Sequence, residues 1–398
     1  MCLPPFPGSL LAPSKDWRAA QNQVQATHRA RRKRAKTESV MTSLSLRGIT
    51  KRFDSQEVLS GVSLDVAAGE RVVLAGASGS GKTTLLRLIA GLEKPSSGSV
   101  VIDDCDVTAW APNRRSVGLV FQDYATYPRL TVAENLSVGF LGTALSKGEK
   151  QARLDSMVQW LELEGLLPKL PTQLSGGQLQ RVALGKALLL QPKILLLDEP
   201  FSQLDVRLAA QMRQLLDESD QRSRTTRLMV THHPLDAQFA ADKLAILENG
   251  RLVQFAPPAQ VRARPATRFA AELTSLMGLN VFPSVAFPEL SAPHDSTIAF
   301  RPESVHCLGE GEQPPGQNAL GFSGSVIGIH ELGGISLREI HIHGYRARAL
   351  LAAGNGTASA TPGINSEIRG FVAREDVMIF PNERLVADRG ESGLTRSL

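Results

Sequence analysis

The stretch that most constrains this chain is Gly76-Ala77-Ser78-Gly79-Ser80-Gly81-Lys82-Thr83. Glycine, four residues, then glycine, lysine and a hydroxyl residue is the pattern that curls backbone N–H groups around a phosphate. The apolar run Arg71–Ala75 precedes it, and helix-forming text from Thr84 to Ala90 follows. Strand, glycine loop and helix start, in that order, aim the positive end of a helix dipole at an anion. Lys82 is then placed to reach the β- and γ-phosphates, and the Thr83 hydroxyl to ligate Mg²⁺. A chance lysine after a glycine turn would need neither flank.

A second apolar run, Ile194–Leu197, delivers Asp198 and Glu199 to a strand end. Nucleotides bind open α/β sheets at the carboxyl ends of their strands. Asp198 is therefore a candidate for holding Mg²⁺, and Glu199 for polarising a water aimed at the γ-phosphate. Two adjacent acids could equally be a solvated turn, but the phosphate loop makes that reading weaker. A third piece, Leu174-Ser175-Gly176-Gly177-Gln178, opens the helical text Leu179–Leu184. Serine before two glycines at a helix start is a second anion-binding end. One nucleotide does not need two such ends from one chain, so the economical reading has a second copy supply the other.

Around these pieces, short apolar runs alternate with helical patterns from 44 to about 255, as in α/β proteins. Leu228–Thr231 and Leu244–Leu247 read as further strands, and the unbroken apolarity of the runs suits parallel strands buried on both faces. Between 123 and 190 the pattern turns helical, with Leu154, Met157, Val158 and Leu161 on one face. After Pro257-Pro258 the style changes again. One helix is predicted near Thr267–Met277, followed by short strands at Thr297–Arg301, Gly324–Ile329, Leu337–Ile342 and Gly370–Ala373. This reads as a small barrel or sandwich.

The formal net charge of +5 misleads if spread over the whole chain. Residues 1–40 carry eight Lys/Arg and two Asp/Glu, a net of +6, which leaves −1 for everything after them. The basic run Arg29–Lys36 reads as part of a solvated, disordered extension more readily than as a nucleic-acid or lipid anchor. A fold-like pattern begins directly after Met41, which suggests a natural start there. Cys2, Cys105 and Cys307 match no disulfide or zinc spacing, and a reducing setting fits. No apolar run approaches the length of a membrane span, and the first residues lack the form of a secretory signal.

Gly76–Thr83, Leu174–Gln178 and Asp198–Glu199, in this order and spacing, resemble the ATP-binding cassette of ABC transporters over about 44–255. The resemblance implies an α/β P-loop NTPase fold with a helical subdomain, and a head-to-tail homodimer or cassette heterodimer with two ATP molecules between its cassettes. It assigns Phe53 to stacking on adenine, where the family more often has tyrosine. It assigns Gln122 to sensing Mg²⁺ and the γ-phosphate, Asp205 to the loop that crosses to the partner, and His232 to touching the γ-phosphate. Phosphate contacts fall to residues 76–83 with Thr84, and across the dimer to Ser175, Gly176, Gly177 and Gln178. Two positions depart from the family: His233 stands where an acid usually follows the switch histidine, and Lys186 where arginine is common.

The C-terminal text is similar to the β-domain of importer ATPases for sugars, polyamines, ferric iron, sulfate and molybdate, through Arg301-Pro302-Glu303 and Gly370–Asp376. Tyr127–Asn135 is also written in that group's style. The implied organisation is a basic extension over 1–40, a cassette over 41–255 with its helical subdomain at about 123–190, and a linker helix over 256–281. A TOBE-like, OB-like all-β domain over 282–381 and a tail over 382–398 complete it. The implied function is ATP hydrolysis driving solute uptake, with two transmembrane permease subunits, a periplasmic or extracellular solute-binding protein, no nucleic acid, and a place on the cytoplasmic face of the cell membrane. The alternatives are a soluble ABC ATPase acting on nucleic acid or protein, and a regulatory subunit that binds nucleotide without turnover.

Overall fold

Arg71–Ala75 forms β3, the strand from which the rest of the fold is arranged. In the computed structural model, described for residues 42–121, 126–140, 143, 145–202, 204–223, 225–239, 241–309, 312–332, 335–352 and 363–381, β3 lies inside a six-stranded sheet. The other strands are β6 (Val117–Val120), β7 (Ile194–Asp198), β8 (Thr226–Thr231), β9 (Lys243–Glu248) and β10 (Arg251–Ala256), in the order β10-β9-β3-β8-β7-β6. All neighbours pair in parallel except β10, which returns antiparallel to β9. Every residue of β7 and β8 is buried, as expected for strands covered on both faces.

The side-chain period of two sends successive β3 residues to opposite layers. Val72 and Leu74 pack with Leu85, Leu86, Leu88 and Ile89 of helix α1 (Lys82–Ala90). On its far side α1 meets an antiparallel sheet of β1 (Leu44–Phe53), β2 (Gln56–Val66), β4 (Ser97–Ile102) and β5 (Cys105–Asp106), ordered β2-β1-β4-β5. Val73 and Ala75 face the other layer and pack with residues of α4 (Gly176–Leu189) and α5 (Val206–Ser223). Between β6 and α4, α2 (Val132–Val138) and α3 (Lys147–Trp160) share a separate core of Val132, Leu136, Val158, Leu161 and Val182. The apolar stripe predicted around Leu154–Leu161 packs there.

After β8 come α6 (Pro234–Phe239), then α7 (Pro258–Ala263) and α8 (Arg268–Leu273) beyond β10. The helix predicted near 267–277 is shorter than expected. Thr267 caps its start, and it stops at Leu273, where the Thr274 hydroxyl bonds back to the carbonyls of Ala270 and Ala271. The C-terminal part is all β. A three-stranded sheet holds β11 (Asn280–Pro283), β12 (Thr297–Phe300) and β18 (Met378–Phe380), ordered β11-β12-β18. A five-stranded sheet of β13 (Val305–Leu308), β14 (Ala319–Leu332), β15 (Ile335–Ile342), β16 (Tyr345–Ala352) and β17 (Glu367–Ala373) runs in the order β13-β17-β14-β15-β16. Phe282, Phe287 and Phe300 join the two sheets, with Phe282 stacked on Phe300 at 5.1 Å. His343 and Gly344, both at positive φ, make the two-residue turn that the tight β15–β16 hairpin requires.

Candidate active site

The carboxyl ends of β3, β7 and β8 lie side by side, and each carries part of the site. At the end of β3 the chain turns through Gly79 and Gly81, both at positive φ, before α1 begins. Gly76 has no room for a side chain, because a Cβ there would run into the Leu247 carbonyl and the Ser80 hydroxyl. Among the described residues no side chain caps α1, which leaves its first N–H groups for an external acceptor. The Ser80 hydroxyl is buried in the same loop with no hydrogen-bond partner among the described residues. Lys82 donates to the carbonyls of Gly76 (2.8 Å) and Ala77 (2.9 Å), holding its ammonium across the loop mouth. Burial lowers its pKa, opposed by the charges of Glu199 and Asp198. An anion-shaped cradle with a cation at its rim and an orphaned hydroxyl in its wall fits a triphosphate.

At the end of β7, Asp198 is only 4% exposed. Burial raises its pKa, while a hydrogen bond from Thr83 Oγ1, at 3.3 Å, works the other way. Among the described residues these two oxygens could serve as ligands to a divalent cation. Among the described residues no cluster of three His, Cys, Asp or Glu could hold a metal alone. The site fits an ion whose remaining ligands are phosphate and water oxygens. Glu199 follows at φ 47, and its amide donates to the Val230 carbonyl at 3.0 Å, which prolongs the β7–β8 ladder by one residue. That twist turns its carboxylate toward the end of β8, where Oε1 lies 3.2 Å from Nδ1 of His232.

The structure thus brings Lys82, Thr83, Asp198, Glu199 and His232 together and leaves three predicted pieces apart. Ser175 and Gly176 are exposed at the start of α4, where Ser175 and Gln178 cap each other reciprocally. Among the described residues no hydrogen bond joins 175–178 to 76–83. Gly177 is buried, and a Cβ on it would overlap the Leu208 side chain of α5, which would have to shift to admit one. Asp205 is exposed at the start of α5 and accepts from the Leu208 amide at 2.9 Å. Phe53 is 42% exposed at the tip of the β1–β2 hairpin. Gln122 lies outside the described residues, as do 1–41 and the tail from 382.

With His233 in the usual place of an acid, the sequence offers the His232 loop no adjacent carboxylate. The structure supplies one from α6. Asp236, 3% exposed, accepts from the Thr231 hydroxyl at 2.8 Å and from Arg213 Nε at 2.6 Å. Thr231 in turn accepts from the His233 amide at 3.0 Å. Arg213 also lies over the ring of Phe201, two residues past Glu199. Reading along the chain missed Asp236 and Arg213, since only packing of α5 on α6 brings them together.

A phosphate-cradling loop, a buried carboxylate and a glutamate–histidine pair on a parallel sheet define the class as a P-loop ATPase. The family model of the ABC transporter matches residues 59–202. The sn-glycerol-3-phosphate import ATP-binding protein UgpC of Cereibacter sphaeroides is 40% identical over 305 residues, covering 74% of this chain and 85% of that protein. Its namesake in Brucella abortus is 37% identical over 353 residues, 85% of this chain and 97% of the other. Among solved structures, a dimeric, post-hydrolysis ATP-binding cassette bound to ADP and Pi is 32% identical and matches with TM-score 0.50, covering 54% of this chain and 98% of that one. This chain belongs to the ABC transporter family, as an ATP-hydrolysing subunit of an importer.

Proposed function

We propose that residues 76–84 bind the triphosphate of ATP, that Thr83 and Asp198 hold Mg²⁺, and that Glu199 is the base that activates water. The observation that carries this reading is the convergence of three strand ends on one edge: Lys82 past β3, Asp198 and Glu199 at β7, and His232 after β8. Bound Mg²⁺ would neutralise phosphate charge. The chain's own groups do the rest. Lys82 exchanges the Gly76 and Ala77 carbonyls for phosphate oxygens, and Glu199, oriented by His232, takes the proton of the attacking water. Positioning and charge stabilisation suffice for phosphoryl transfer, and no covalent intermediate is needed.

The exposed Ser175–Gln178 turn belongs, in this reading, to the ATP of a second cassette. Two chains close head to tail around two nucleotides, and ATP is the ligand that favours the closed state. Two permease subunits take up the motion, and a solute-binding protein presents the solute. Among the described residues no helix is long and apolar enough to cross a membrane. As the ATP-binding partner of the permease subunits, the chain is proposed to sit peripherally on the cytoplasmic face. The domain division proposed is a cassette through 255, a linker to 281 and a β-domain from 282. For the solute, two of the relatives above are named for sn-glycerol-3-phosphate import, and that anion is the first to test in a reconstituted transporter.

Replacing Glu199 tests the chemistry. Glu199→Gln should lower ATP turnover by about 10²- to 10⁴-fold, the usual contribution of a general base, while ATP binding is kept. Turnover near the wild-type rate would remove Glu199 from that role.

A further inference from the structure

Lys51 and Phe53 are two apart on β1. Phe53 stands at the hairpin tip, followed by Asp54 at φ 50, and an aromatic side chain at such a tip has little to fix the plane of its ring. Lys51 changes that. Its Nζ sits over the ring, 4.5 Å from the centroid. Lys51 is only 9% exposed whereas Phe53 is 42% exposed, so the aromatic residue keeps accessible surface beside a buried ammonium.

The ammonium is itself held. It donates to Glu93 Oε2 at 3.0 Å and to the Lys94 carbonyl at 2.9 Å. Glu93 is tied back to α1, since the amides of Leu92 and Glu93 both donate to the Arg87 carbonyl. Lys51 thus connects the ring at the hairpin tip to the far end of the helix whose near end opens the phosphate cradle. A cation on one face of a ring withdraws electron density from the other, and the electron-poorer face stacks better on an electron-rich purine.

We propose that Lys51 is a positioning residue for the base of the nucleotide: by backing one face of Phe53 and anchoring it to the end of α1, it sets the plane, reach and stacking strength of the adenine platform. The inference rests on the reading of Phe53 as that platform. Lys51 touches no phosphate in this account, so its effect is confined to ligands that carry a base.

The test uses the full chain and two probes, Mg²⁺-ATP and inorganic tripolyphosphate, titrated at equilibrium. Lys51→Gln retains donors for Glu93 and Lys94 but has no charge, and Lys51→Met removes both. Each should weaken ATP binding about three- to tenfold, the scale of one partly buried cation–π contact, and leave tripolyphosphate unchanged. Lys51→Arg should restore ATP binding, and adding either change to Phe53→Ala should weaken it no further. Wild-type ATP affinity in Lys51→Gln, equal weakening of both probes, or additivity with Phe53→Ala would overturn the proposal. If Phe53→Ala alone binds ATP as wild type does, the platform itself is wrong and the role of Lys51 falls with it.

Discussion

Asp198 and Lys82 hold opposite charges inside a site built for a ligand more highly charged than either. Burial raises the pKa of the acid and lowers that of the base. Both shifts mean that the charged forms are held at a cost until phosphate and metal arrive. For Asp198 the folded chain binds its proton more tightly than the unfolded chain. Stability of the ligand-free protein therefore declines as pH rises from the ordinary carboxylate value through the raised one. Asp198→Asn should accordingly melt above the wild type at neutral pH without nucleotide, and that advantage should shrink as the pH is lowered. Calorimetric melts at several pH values check this, and a constant difference would remove burial of the charge as its cause. The same variant should be poorer at binding Mg²⁺-ATP, because the carboxylate it lacks is one of the proposed protein ligands.

At the scale of elements, one glycine has two duties. Gly177 lies in the turn proposed to seal a second nucleotide, but its missing side chain is also what lets α4 approach Leu208 of α5. Gly177→Val should therefore cost about 1–3 kcal/mol in stability, the usual price of overpacking, before any effect on turnover. Adding Leu208→Ala should recover part of that loss in a denaturant titration. Failure of Leu208→Ala to compensate would place the conflict elsewhere. Loop order at the other strand ends depends on comparable pairings. The His232 loop is held by the Thr231–Asp236–Arg213 chain of bonds.

For the whole molecule, the exposed Ser175–Gly176 turn and the edge that carries Glu199 make a dimer testable through one residue. In light scattering with Mg²⁺-ATP, the Glu199→Gln chain should double in mass because the closing ligand is not consumed. Glu199→Gln with Ser175→Arg should remain a monomer yet still bind ATP, since its own phosphate loop is intact. A dimer formed equally by both would mean the turn does not face the partner's nucleotide. The C-terminal part joins the cassette through α7 and α8: Arg262 pairs with Glu303 at 2.7 Å, and Arg301 donates to the Arg262 carbonyl at 2.9 Å. The Arg301-Pro302-Glu303 segment, which carries the resemblance in the sequence, thus grips α7, the first of two short helices where one linker helix is expected.

What could be read from the chain alone was whatever is local. The phosphate loop is eight consecutive residues between a strand and a helix, and its chemistry follows from backbone N–H groups and one turn of helix. Buried strands such as β7 and β8 announce themselves because both faces must be apolar. Strands β11, β13, β16 and β18 did not, being short or mixed with polar residues that neighbouring strands cover. The contacts that orient the site were equally hidden. Lys51 meets Glu93 across 42 residues of sequence, and Arg213 meets Asp236 across 23. Such partners are chosen by how sheets and helices stack, a property of the folded volume that no single segment contains. Sequence determined which groups would do the chemistry; tertiary packing decided what holds each of them in place.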